Sequence, residues 1–292
     1  MKHLLFGGGL LLAGPALAQQ PAAAPRVVPL DSVLVRPPRV RVLRAPGEAR
    51  GAFGELAYSL GPTRRVATWF PLPADSAYRV RAVRLHLASR LPEHLADLAR
   101  HRRGFAEGRL TVRLVPATAT GQPADSSLLA APLLLAPTGP VPDRRGWVRL
   151  ELPESTLILP PGGVFVVVEC LPNPGEHFVR SHSLLHPPGA GQPLQDYVAR
   201  AGGAAQRVYH YEEVQAAGSP TTRLVPTSNY PALAQQQVTT PAECRAWLYQ
   251  LLRAGHSGWQ SLAALHAQLR QQLPQLKLPD YNYALELEVD EP

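Results

Sequence analysis

The sequence predicts a mainly β fold, an antiparallel β-sandwich of jelly-roll type, with a helical hairpin inserted before its last strand. Three observations point there. Apolar and polar residues alternate over short runs, turn-rich segments separate the runs, and Pro (32) and Gly (23) are spread through the 292 residues without a repeat. That punctuation excludes collagen and long coiled coils. With 45% hydrophobic and 17% charged residues, the chain is too apolar for disorder, so a packed core follows.

Residues 1–20, MKHLLFGGGLLLAGPALAQQ, place Lys2 ahead of an apolar run from Leu4 to Ala13 and an A-x-A site at Ala16, Leu17 and Ala18. This is the order of a secretory signal peptide, so residues 1–18 are expected to be removed and the mature chain to begin at Gln19. The run is too short to cross roughly 30 Å of hydrocarbon, and no Cys follows the cleavage site to carry a lipid. No later stretch reaches about eighteen uninterrupted apolar residues, so no transmembrane segment is expected in the mature chain. Residues 19–29, QQPAAAPRVVP, read as a flexible lead-in. Residues 30–292 read as the β domain.

In YRVRAVRLHLA, Val83, Leu85 and Leu87 share one face while Arg84 and His86 take the other. Val80 and Ala82 are out of that phase, which predicts a bulge near Arg81. GRLTVRLVP turns Leu110, Val112 and Leu114 inward and Arg109, Thr111 and Arg113 outward; GWVRLELP repeats the pattern with Val148, Leu150 and Leu152 inward. VFVVVECL, residues 164–171, is apolar on both faces apart from Glu169, as a central strand covered on both sides would be. LPEHLADLARHRRG, residues 91–104, has the leucine spacing of a short helix closed by Gly104.

The hairpin is expected over residues 240–273. Thr240-Pro241-Ala242-Glu243 is a capping box with Pro at the first helical position, followed by a stripe of Cys244, Trp247, Leu248, Leu251 and Leu252. A second helix is expected from Ser257, with Leu262, Leu265, His266, Leu269 and Leu273 on its stripe. In YALELEVD, Tyr283, Leu285, Leu287 and Val289 alternate with Ala284, Glu286, Glu288 and Asp290. This closing strand, residues 282–290, is expected to return to the sheet.

The strings RVRAVRLHL, LTVRLVP, SSLLAAPLLL, GWVRLELP and ILPPGGVFVVVE, with LDSVLV ahead of Arg36, resemble a group of uncharacterised exported β-sandwich proteins of Bacteroidota. Members often carry an N-terminal carboxypeptidase-regulatory-like domain, which is absent from this chain. The resemblance implies an exported sandwich and supplies no catalytic residues.

Candidate chemistry is sparse. The net charge is +7, but the Arg residues alternate along strands rather than clustering with aromatics, so nucleic acid is not an expected partner. His94, Asp97 and His101, with Glu93 nearby, share a helix face at spacing that could hold zinc; solvated helix surface is the plainer reading. Glu176, His177, His182 and His186 form a second polar group in a Pro/Gly-bounded stretch. Glu169 is expected in an outer-face ion pair with Arg84, Arg113 or Arg149.

Tyr209, Tyr211, Glu212 and Tyr230 are the glycan-binding candidates, since aromatic rings beside carboxylates suit sugar C–H faces and hydroxyls; core packing is the competing reading. Cys170 and Cys244 are either bridged or two buried thiols, export permitting the bridge. No nucleophile elbow and no phosphate-cradling loop is present. The expected function is a non-catalytic exported envelope protein, a structural or protein-interaction module without a cofactor, whose partner is an envelope protein or glycan. A carbohydrate-binding module is the second reading and a metal-dependent hydrolase the third. The periplasm, the outer membrane and the exterior are the expected locations.

Overall fold

Gly162–Leu171 (β8) is the longest strand among the described residues, and its side chains from Val164 to Val168 are buried on both faces, as its doubly apolar sequence requires. The structure is a computed structural model that describes residues 39–48, 56–73, 77–88, 105–153, 157–189, 208–251, 257–275 and 279–290. All of them belong to one compact unit, residues 38–292. The signal peptide, the lead-in and the expected helix at 91–104 lie outside the described residues.

Strands are numbered in chain order, and every pairing among them is antiparallel. β8 sits inside a six-stranded sheet between Arg65–Leu72 (β3) and Arg109–Val115 (β5). Leu133–Leu135 (β6) extends that sheet beyond β5; Ala246–Leu251 (β13) and Ser257–Ser261 (β14) extend it beyond β3. A four-stranded sheet runs in the order Val40–Arg44 (β1), Leu285–Asp290 (β16), Arg79–His86 (β4) and Trp147–Glu151 (β7). The closing strand therefore does return, and it takes an inner place rather than an edge. Two three-stranded sheets complete the set. One joins Thr222–Pro226 (β11), Tyr209–Ala216 (β10) and Glu176–Leu184 (β9), and the other joins Tyr281–Tyr283 (β15), Ala232–Gln237 (β12) and Leu56–Ser59 (β2).

The two large sheets feed one hydrophobic cluster. Val66, Phe70, Leu110, Val112, Val166 and Val168 enter it from one side, and Val83, Leu85, Val148, Leu150, Leu287 and Val289 from the other. Each such side chain contributes about 1.5–3 kcal/mol by leaving water. The bulge falls where the phase change predicts it. Ala82 pairs with Glu288 and Val80 with Val289, so Arg81 is left without a partner in the register and Val80 turns into the core.

The helical hairpin is not formed. Its first helix is replaced by β13, and among the described residues Leu262–Gln272 (α1) is the one α-helix. The capping box at Thr240 does exist, yet it opens only a 3-10 turn at Pro241–Glu243, after which Cys244 is already extended. Pairing with β3 is what overrides the helical stripe. It hides Ala246 and packs Leu248 against the core, while Trp247 and Tyr249 go to the opposite face.

Asn282 fixes this exit. It is fully buried, its amide accepts from Arg245 N at 2.6 Å, and it donates to the carbonyls of Pro46 and Glu243 at 2.8 and 2.9 Å. The second helix starts later than its sequence signal, because residues 257–261 pair with β13 first. Ser261 rather than Ser257 is its N-cap.

Candidate recognition face

The face of the six-stranded sheet that points away from the shared core gathers three of the four tryptophans in the chain. Ala67, Val115, Phe165 and Val167 are its buried floor, and half-buried Trp69, Trp247 and Trp259 pack on them. The period-2 geometry of strands selects these residues. Trp69 lies opposite Phe165, Trp247 opposite Ala67, and Tyr249 between Arg65 and Trp259. Phe165 lies 4.6 Å from Trp69 and 5.9 Å from Trp247, ring centre to ring centre, and Tyr249 lies 5.3 Å from Trp259. Gly163 makes room for Trp69. Its φ is +137°, and a Cβ there would stand 2.5 Å from the indole.

Arg65 lies over the Tyr249 ring at 5.0 Å, and its Nε donates to Glu169 Oε1 at 2.7 Å. Glu169 thus has the outer-face ion pair expected of it, with a different partner. Arg65 stands directly opposite on β3, whereas Arg84 and Arg149 belong to the other large sheet.

The four-stranded sheet carries a contrasting face. Glu286 accepts from Arg44 at 2.8 Å and from Arg84 at 2.6 Å. Glu288 stands 2.8 Å from Arg149 and 3.7 Å from Arg84, and Arg149 also pairs with Glu151. The fourth tryptophan, Trp147, lies here with His86 stacked on it at 4.9 Å and Arg84 over it at 5.0 Å.

The glycan candidates chosen from sequence lie mostly in the interior. Tyr211 is 4% exposed, Glu212 1% and Tyr230 1%, and only Tyr209 is half-buried. Their strand alternation is real, but it turns Tyr211 inward, so these rings offer no open platform. Glu212 is satisfied internally, accepting from Ser181 Oγ at 2.5 Å and Thr227 Oγ1 at 3.0 Å. Burial pushes the Tyr230 hydroxyl up from its ordinary value, and its oxygen has no partner among the described residues.

Of the second polar group, His182 is buried with Nε2 2.9 Å from Glu213 Oε2, His177 lies 2.9 Å from Gln215 Oε1, Glu176 receives Arg223, and His186 is exposed. They do not converge. Hydrogen bonds from His182, then Thr222 and Arg180, pull the Glu213 carboxyl down to about 2. Among the described residues no three His, Cys, Asp or Glu side chains are grouped to hold a metal. His94, Asp97 and His101, with Glu93, lie outside the described residues.

The two cysteines are free thiols, not a bridge. Cys170 faces the core from β8, where burial pushes its thiol up to about 12; Cys244 donates to the Tyr281 carbonyl at 3.3 Å, and burial raises it too. A protonated thiol is a poor nucleophile.

Sequence reasoning missed one buried cluster nearby. His266 Nδ1 lies 3.2 Å from Asp280 Oδ1, and Arg270 reaches the same carboxylate at 3.3 Å. His266 on an apolar stripe was its only sequence signal. The cluster ties α1 to the segment entering β15.

No family model and no curated protein matches the chain. Among solved structures the chain is similar to the clostridial cysteine protease Cwp84 after propeptide cleavage, at TM-score 0.39 and 10% identity over 87% of this chain and 40% of that one. It is also similar to the cysteine protease and lectin-like domains of Cwp84, a surface layer associated protein of Clostridium difficile, at TM-score 0.37 and 8% identity over 87% of this chain and 36% of that one. The chain thus spans about two-fifths of these structures. At TM-scores this low, nothing of Cwp84's activity is carried over. Among the described residues no helix is long and apolar enough to cross a membrane.

Proposed function

We propose that this chain is a non-catalytic, exported envelope protein, a β-sandwich whose outer aromatic face is a recognition surface. The single observation that carries the reading is the concentration of Trp69, Trp247 and Trp259 on one sheet face, each half-buried. Tryptophan is seldom left toward solvent in groups, and such patches mark interaction sites. The core shared by the two large sheets supports the sandwich. The signal-peptide order at residues 1–18 and the resemblance to exported Bacteroidota sandwiches support the location. The raised thiols and the internally satisfied Glu212 support binding over catalysis.

The test is sedimentation of the purified protein with isolated envelopes of the cells that produce it. Wild type is expected to pellet with them, the Trp247→Ala/Trp259→Ala double variant to stay in the supernatant, and Trp147→Ala to behave as wild type. Equal sedimentation of all three would remove the aromatic face from the account. Export is checked by N-terminal sequencing of the secreted chain, expected to begin at Gln19.

A further inference from the structure

We propose that the aromatic face binds single, soluble glycan chains, with sugar C–H faces resting on the indole and phenol rings and sugar hydroxyls meeting the Arg65–Glu169 pair. This rests on the reading above that the face is a recognition surface. Two features of the face select the ligand class.

The first is the polar pair placed among the rings. Arg65 and Glu169 stand in the same cross-strand row as Tyr249 and Trp259. A protein partner with an apolar core would strip water from the Glu169 carboxylate, and acidic residues are depleted at interface centres. A hydroxyl-rich ligand instead offers donors to the carboxylate and acceptors to the guanidinium. The Tyr249 hydroxyl, which lies 2.8 Å from Ser257 Oγ, adds a second polar position at a ring edge.

The second feature is the tilt of the rings. Tyr249 and Trp259, both half-buried, are inclined at 74°. Rings so inclined cannot both lie flat on a planar crystalline surface, whereas a single chain can turn from one to the other. Ring-on-ring packing and the Gly163 backbone hold the indoles in place before any ligand arrives, so little ordering cost remains at binding.

The experiment is affinity electrophoresis of the full chain against soluble glucans, mannans, xylans, chitooligosaccharides and peptidoglycan fragments. Pull-down on crystalline cellulose and chitin runs beside it, and circular dichroism of each variant confirms folding. At least one soluble class is expected to retard the protein and shift its tryptophan emission. Trp247→Ala and Trp259→Ala should each weaken binding about tenfold or more. Arg65→Gln, which keeps the rings, should weaken it several-fold, and Trp147→Ala should change nothing.

Binding to crystalline polysaccharide alone would overturn the single-chain inference. Soluble binding that is indifferent to Trp247, Trp259 and Arg65 would overturn the site. Absence of glycan binding alongside tryptophan-dependent envelope sedimentation would overturn the ligand class in favour of a protein partner and leave the recognition face standing. Failure of both assays would remove the face itself.

Discussion

Along the outer face of the four-stranded sheet the order across strands is Arg44, Glu286, Arg84, with Glu288 and Arg149 alongside; on the six-stranded sheet the matching row reads Trp259, Tyr249, Arg65, Glu169. Both rows are set by the same period-2 alternation, and their inward partners feed the same core. The ladder face closes on itself. Each carboxylate on β16 has a guanidinium beside it, and the only tryptophan there lies beneath His86 and Arg84. The aromatic face carries one ion pair, Arg65–Glu169, in the row of Tyr249 and Trp259, and three half-buried indoles. Identical backbone geometry thus yields one surface dominated by ion pairs and one dominated by aromatic rings, with three half-buried indoles against one.

The largest effects should come from beneath the two faces. Phe165→Ala removes the ring on which Trp69 and Trp247 pack and should cost about 3 kcal/mol or more in urea denaturation. Leu287→Ala, under the ladder, should cost a similar amount. Only the first should shift the tryptophan emission of the folded protein. Equal shifts in both would mean that the faces are not independent.

Next comes the ladder itself. Glu286 is buried between Arg44 and Arg84, so Glu286→Ala should lose about 2 kcal/mol. Arg149→Ala, at the exposed side of the row, should lose under about 1 kcal/mol. A ladder in which both substitutions cost the same would not be graded by burial as described.

Acid distinguishes both faces from the small sheet of β9, β10 and β11. Glu213 is held down to about 2 from an ordinary 4.5 by His182, Thr222 and Arg180. Its contribution is complete above about pH 4.5 and is lost as pH falls toward 2, because the unfolded chain takes up the proton first. Glu213→Gln should flatten that part of the stability–pH curve. An unchanged curve would show that Glu213 is not the group responsible. The smallest stability effect belongs to Trp259→Ala on the edge strand β14, under about 1 kcal/mol, although its effect on binding should be large.

Much of the fold was legible from alternation. β4, β5, β7 and β16 follow from which residues repeat at every second position, β8 from its run of residues apolar on both faces, and the Arg81 bulge from a single phase break. The hairpin was misread because Cys244, Trp247, Leu248 and Leu251 satisfy a helical stripe and a strand at once, and a true capping box precedes them. What decided the outcome lies far along the chain, in the side of β3 not taken by β8, where β13 pairs, and in the carboxamide of Asn282. The aromatic face was illegible for the same reason. Trp69, Trp247 and Trp259 come from three strands whose adjacency no local pattern announces, while of the sequence candidates Tyr211 and Tyr230 belong to the interior.

Hydroxyl-radical footprinting of the protein alone and bound to envelopes, read residue by residue by mass spectrometry, is the sharpest test of the proposed binding face. All four tryptophans are half-buried in the free protein; on binding, Trp69, Trp247 and Trp259 should become protected from oxidation while Trp147 does not change. Oxidation of Trp247 and Trp259 at the same rate in free and bound protein would contradict it.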